Sequence, residues 1–118
     1  MKKIAVFVLA DIETHEDLGR VVNALEAVKQ FKEVKDEVKL YFDGTGTKWI
    51  SELSKKDHIA NGLFEVVKDK IEGACEFCAG AFGASNSVQQ CKIDLINEKD
   101  QHIDIQKLVS NGFQIINF

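Results

Sequence analysis

Two apolar rhythms take turns along this sequence, and their alternation limits the fold more than any other feature. Lys3–Ala10 is a continuous apolar run, the pattern of a strand covered on both faces. Thr14 then offers a helix cap, with Glu16 and Asp17 in the first turn. Leu18, Val21, Val22, Leu25 and Val28 recur behind it at helical spacing. Val38–Phe42 reads as a second strand, broken by Asp43-Gly44-Thr45-Gly46, and a short helix carrying Trp49, Ile50 and Leu53 follows. Asp57 is the expected cap of another helix, with Ile59, Leu63, Val66, Val67 and Ile71 inward and Gly73 as its terminator. Ala74–Phe77 is the third expected strand, Ala79 to about Gln90 a glycine-interrupted helix, and Lys92–Ile96 a short strand. Asn97–Gln101 is turn-like. His102 or Asp104 starts a last helix with Ile105, Leu108 and Val109, and Phe113–Phe118 is the closing strand.

Strands that alternate with helices predict an α/β fold, a mostly parallel sheet flanked by helices on both faces. The 118 residues suit a single domain with one core. Right-handed crossovers carry every strand-to-helix loop to one edge of such a sheet, the carboxyl edge where ligands gather. The loops Asp11–His15, Asp43–Lys48 and Cys78–Gly83 are therefore expected to meet. Hydrophobic residues make up 45% of the chain, too many for a disordered one. The formal charge of −4 and the scattered lysines offer no basic face for nucleic acid. The apolar run Ile4–Ala10 is too short to span a membrane. It follows Met-Lys-Lys as a signal peptide's core does, but Asp11, Glu13, Glu16 and Asp17 come next with no small-residue cleavage site, so a cytoplasmic protein is expected. In a reducing compartment its three cysteines are free, catalytic or metal-bound rather than a disulfide scaffold.

Two of those cysteines form Cys75-Glu76-Phe77-Cys78. The chain has no proline, so it cannot build the cis-proline loop that packs beside such a motif in thioredoxin-like folds. Strand alternation predicts a buried Cys75 and a Cys78 pointing elsewhere, which disfavours a disulfide between them. Cys78 is expected at the strand exit, where Ala79, Gly80 and Ala81 allow close approach and helix-start amides lower the thiol pKa below about 8.5. A zinc set of Cys75, Cys78, Cys91 and His102 has ligand spacing in its first half and no close pair in its second. Asp43-Gly44-Thr45-Gly46-Thr47 lacks the ending of a phosphate loop. Tyr41 stands where an aspartyl-phosphate phosphatase carries its nucleophile. A turn with a helix cap, forming a wall of the Cys78 pocket, is the better account. Asp11–His15 has no glycine or serine cluster to wrap a flavin. His15 is either an ordinary exposed histidine or a neighbour that tunes the cysteine. His58 is expected in solvent, and Trp49 with Ile50 in the core or a subunit contact.

These residues resemble the DsrE/DsrF-like proteins, which include subunits of sulfur-relay complexes. The resemblance runs through Lys3-Ile4-Ala5-Val6-Phe7-Val8, Val38–Gly44, Cys75-Glu76-Phe77-Cys78-Ala79-Gly80-Ala81-Phe82-Gly83 and Leu108–Phe118. It implies an α/β fold related to flavodoxin topology and a homo-oligomer, commonly a trimer or hexamer. For the relay members it also implies a cysteine that carries a persulfide, and Cys78 falls at the carrier position.

The expectation is a sulfur carrier in which Cys78 takes the outer sulfur of a donor persulfide and passes it to an acceptor protein. Gly80 and Ala81 would give access and anion stabilisation, and Asp11, His15, Asp43 and Thr45 would line the approach. No metal or organic cofactor is required. The alternative is a non-catalytic oligomeric binding module with structural cysteines, and a zinc site is the third reading.

Overall fold

Five parallel strands make the sheet: β1 (Lys3–Val8), β2 (Glu37–Phe42), β3 (Ile71–Cys75), β4 (Leu95–Ile96) and β5 (Gln114–Asn117). The computed structural model describes residues Met1–Phe118. The strands lie in the order β4-β3-β2-β1-β5. Successive strands thus step one way from β1 to β4, and the chain then returns to the far side of β1. The flavodoxin-like order 2-1-3-4-5 reverses at a different point.

This order decides which face each helix covers. Three steps in one direction with right-handed crossovers stack their helices on one face. These are α1 (His15–Glu33), α2 (Trp49–Leu53), α3 (Asn61–Val67) and α5 (Ser85–Gln90). They bury Val21, Leu25, Ile50, Leu53, Phe64 and Val88 against Ile4, Val6, Val8, Leu40, Phe42 and Ala74. The return crossover carries α6 (Ile105–Ser110) to the other face, where Ile103, Leu108 and Phe113 cover Ala5, Phe7, Tyr41 and Cys75. Strand alternation sorts neighbours such as Val6 and Phe7 into the two layers.

The long helix forms as read. Thr14 accepts the Asp17 N–H while Asp17 accepts the Thr14 N–H, a complete capping box. Other boundaries differ from expectation. The first strand stops at Val8 rather than Ala10. Asp57 caps nothing; α3 starts at Asn61, leaves Ile59 85% exposed, and ends in a 3₁₀ turn over Lys68–Lys70. Gly73 lies inside β3 rather than at a helix end. A Cβ there would stand 2.5 Å from the Asp94 carbonyl oxygen, so the glycine lets the segment entering β4 approach. The expected strand Lys92–Ile96 pairs over Leu95–Ile96 only. The glycine-interrupted helix is two helices, α4 (Glu76–Ala81) and α5, divided at Gly83 with φ +73°. Asp104, not His102, caps α6 by accepting the Lys107 N–H. Ile105 and Val109 face outward. No helix is long and apolar enough to cross a membrane.

Candidate functional site: two thiols and an imidazole at the carboxyl edge

A register shift aims the first cysteine. Leu40 pairs with Ile71 but Tyr41 pairs with Gly73, so β3 carries one extra residue, Glu72, opposite β2. A one-residue slip exchanges the faces of everything beyond it. Ala74 therefore faces the large helical layer with Phe42, and Cys75 faces the α6 layer with Tyr41 and Phe7. Cys75 is fully buried there.

The strand ends at Cys75, two residues earlier than expected, and Glu76-Phe77-Cys78 is already helical. Glu76 in a first turn and the alanines behind it favour helix. The early helix start repositions the thiols. From the residue before a helix to its third residue the chain makes most of one turn, so the two side chains share a side. The sulfurs of Cys75 and Cys78 converge within 4.8 Å instead of diverging. Both cysteines are free. Cys78 is half-buried and packs against the α6 layer.

His102 completes the group. The loop after β4 runs to the same carboxyl edge and turns sharply at Lys99–His102, with Asp100 at φ +50° and Gln101 at φ +69°. The Gln101 N–H donates to Asn97 Oδ1 at 3.0 Å, and the Phe77 N–H donates to the Gln101 carbonyl at 2.9 Å, tying this loop to α4. The Cys75 sulfur lies 3.4 Å from His102 Nδ1, and the imidazole rests against the Phe77 ring with centroids 4.8 Å apart. Cys91 packs with the large helical layer, away from this group.

Of the three loops expected to meet, residues of all three interlock. Thr45 Oγ1 donates to the Leu9 carbonyl, and Lys48 Nζ donates to Asp11 Oδ1 at 3.1 Å. The Ile12 N–H and Lys48 together hold the Asp11 carboxyl below the usual range. Asp43 accepts the Gly44 N–H and caps the 3₁₀ turn Gly44–Lys48, the turn-plus-cap reading of this stretch. Gly46 seats that turn on β1, since a Cβ there would lie 2.0 Å from the Val8 carbonyl oxygen.

Asp43 and Gly44 face Cys78, so this loop does wall the thiol. The electrostatic effect reverses the expectation. Burial pushes the Cys78 thiol up to about 12; the Gly44 N–H favours the anion, while the Cys75 thiol and the Asp43 carboxylate oppose it. Gly80 and Ala81 sit at the C-terminal end of α4 and present no helix-start amides. His15 lies elsewhere, lining a pocket of about 250 Å³ with Trp49, Glu52 and His58. His58 is half-buried rather than solvated. Its Nδ1 accepts the Ala60 N–H, and its ring meets Trp49 edge-on. Trp49 is a core residue whose indole N–H donates to the Ala10 and Asp11 carbonyls. The histidine at the cysteines is thus His102. The rule that gathers strand-to-helix loops at one edge applies equally to the loop after β4 and would have placed it there.

Fold and site define a small all-parallel α/β domain with paired thiols and an imidazole at the carboxyl edge of its sheet. No model of a known protein family matches the chain. Over 96 residues it is 30% identical to the uncharacterized protein MJ0733 of Methanocaldococcus jannaschii, with 81% of this chain and 78% of that protein covered. The chain belongs to the family of that archaeal protein.

Proposed function

We propose that the chain is a DsrE/DsrF-like sulfur carrier that holds a persulfide on Cys78. The observation that carries this reading is the position of Cys78, a half-buried thiol at a strand-to-helix turn on the carboxyl edge. The resemblance of its sequence blocks to those of relay proteins supports the same reading. In the loading step the Cys78 sulfur attacks the outer sulfur of a donor persulfide. A new S–S bond forms on Cys78, the donor's S–S bond breaks, and the donor thiolate leaves with the proton that Cys78 gives up. The exchange is neutral in charge and in electrons. Unloading is the same step with an acceptor thiol as the attacking group. The partners are a donor and an acceptor protein, and the carrier itself assembles as a homo-oligomer, a trimer or hexamer. Incubation of the reduced protein with a sulfane-sulfur donor, followed by intact mass, tests this. Wild type is expected to gain sulfur and Cys78→Ala none.

One observation favours the rival reading, an oligomeric binding module with inert cysteines: Cys75 is fully buried and Cys78 half-buried. Slow alkylation suits both readings. Sulfur uptake separates them, because the module takes up none.

A further inference from the structure

The loop after β4 brings a third metal-ligating side chain to the two thiols. One ligand atom each from Cys75, Cys78 and His102 lies within 4.8 Å of the other two, and Cys75 Sγ is 3.4 Å from His102 Nδ1. Around tetrahedral zinc, with bonds of about 2.3 Å to sulfur and about 2.0 Å to nitrogen, neighbouring ligands stand roughly 3.5 to 3.8 Å apart. The widest separation allowed by 4.8 Å exceeds that by about 1 Å, a rotamer adjustment rather than a rearrangement.

We propose that Cys75, Cys78 and His102 bind one zinc ion, with the fourth position open to solvent. Two thiolates and an imidazole form a soft to borderline donor set, which selects zinc over magnesium or calcium. Three protein ligands with an open position is the arrangement of zinc sites that take an exogenous ligand. The open side follows from burial: Cys75 is enclosed, Cys78 half-buried and His102 exposed.

The imidazole is held in place by its surroundings. Asp100 and Gln101 both occupy left-handed backbone, which residues with a side chain rarely adopt. The turn is fastened by the Glu98 and Lys99 N–H groups, which both donate to the His102 carbonyl at 3.0 Å. Phe77 packs on the ring from α4, the helix that carries Cys78. Strand, helix and loop thus each fix one ligand. The site goes beyond the sulfur-carrier reading and stands without it. A bound zinc would also hold Cys78 as a zinc thiolate, so zinc and sulfur would compete for that atom.

The test is titration of the reduced, chelator-stripped full chain with cobalt(II). One equivalent is expected to give thiolate-to-cobalt charge transfer and tetrahedral d–d bands, both abolished by zinc(II). Cys75→Ser, Cys78→Ser and His102→Gln are each expected to weaken binding by at least about tenfold, the least that losing even an outer partner of a ligand does. Cys91→Ser keeps full binding. Cys75 lies in the core, so the exposed His102 provides the variant least coupled to folding, and circular dichroism checks each. The proposal is overturned if no thiolate–cobalt band grows to one equivalent, if His102→Gln binds like wild type, or if Cys91→Ser loses the ion. Sulfur loading is read separately, by intact mass on metal-free protein, so failure of either proposal leaves the other's readout intact.

Discussion

Alkylation of Cys78 as a function of pH reads its surroundings directly. Burial, the Asp43 carboxylate and the Cys75 thiol keep the sulfur protonated, with the pKa pushed up to about 12. The thiolate fraction at pH 7 is then on the order of 10⁻⁵, against roughly 3% for a free cysteine of pKa about 8.5. A more basic thiolate is also a better nucleophile. A Brønsted slope of about 0.45 over roughly 3.5 pH units returns about 40-fold of that roughly 3,000-fold deficit. Iodoacetamide should therefore modify Cys78 about 100-fold more slowly than a free thiol at pH 7. The logarithm of the rate should climb with unit slope past pH 9 without levelling. Asp43→Asn weakens the hydrogen bond through which the carboxylate holds the thiol proton, while its amide oxygen can still accept the Gly44 N–H, so labelling should speed up. The assay is site-resolved mass spectrometry with Cys75 and Cys91 left in place, compared with a short cysteine peptide. A plateau below pH 8, or slower labelling in Asp43→Asn, would refute this account of the thiol.

Three further outcomes follow from the packing. Gly46→Ala forces a methyl onto the Val8 carbonyl and should lower unfolding free energy by roughly 1 to 3 kcal/mol in a denaturant titration, with both ends of the clash being backbone. Thr14→Ala deletes one arm of the capping box of α1 and should lower stability by about 1 kcal/mol, while Thr14→Ser should retain most of it. Stability should also fall in alkali. Cys78 keeps its proton in the fold to about 12, but an unfolded thiol loses it near 9.0, so between those values the unfolded chain is favoured increasingly as pH rises. Burial raises the Tyr41 hydroxyl in the same direction. Thermal melts at about pH 8 and about pH 11 should show the drop, smaller in Cys78→Ala.

The parallel α/β architecture was legible because its signals are periodic. Leu18, Val21, Leu25 and Val28 mark one helix face, and apolar strands flank it. The site was only half legible, for reasons that are local. Glu76-Phe77 continues the alternation of a strand, yet it starts a helix, and that two-residue difference reverses the relation between Cys75 and Cys78. The extra residue at Glu72 that turns Cys75 towards Tyr41 leaves no mark in the hydrophobic pattern. The left-handed pair at Asp100 and Gln101 contains no glycine to announce it, so the turn that presents His102 reads as ordinary polar loop. Gly73 has the sequence signature of a helix end but answers to an approaching carbonyl, which depends on a strand 20 or so residues later. His15 and His102 sit on similar polar stretches, and the tertiary fold alone assigns one to the Trp49 pocket and the other to the thiols.

The central claim, that Cys78 carries sulfur, comes down to one measurement. Reduced, metal-free wild type, Cys78→Ala and Cys75→Ala are incubated with a sulfane-sulfur donor, and their intact masses are compared before and after cyanide treatment. The account predicts one cyanide-labile sulfur atom on wild type and on Cys75→Ala, and none on Cys78→Ala. No gain on wild type, or an equal gain on Cys78→Ala, would contradict it.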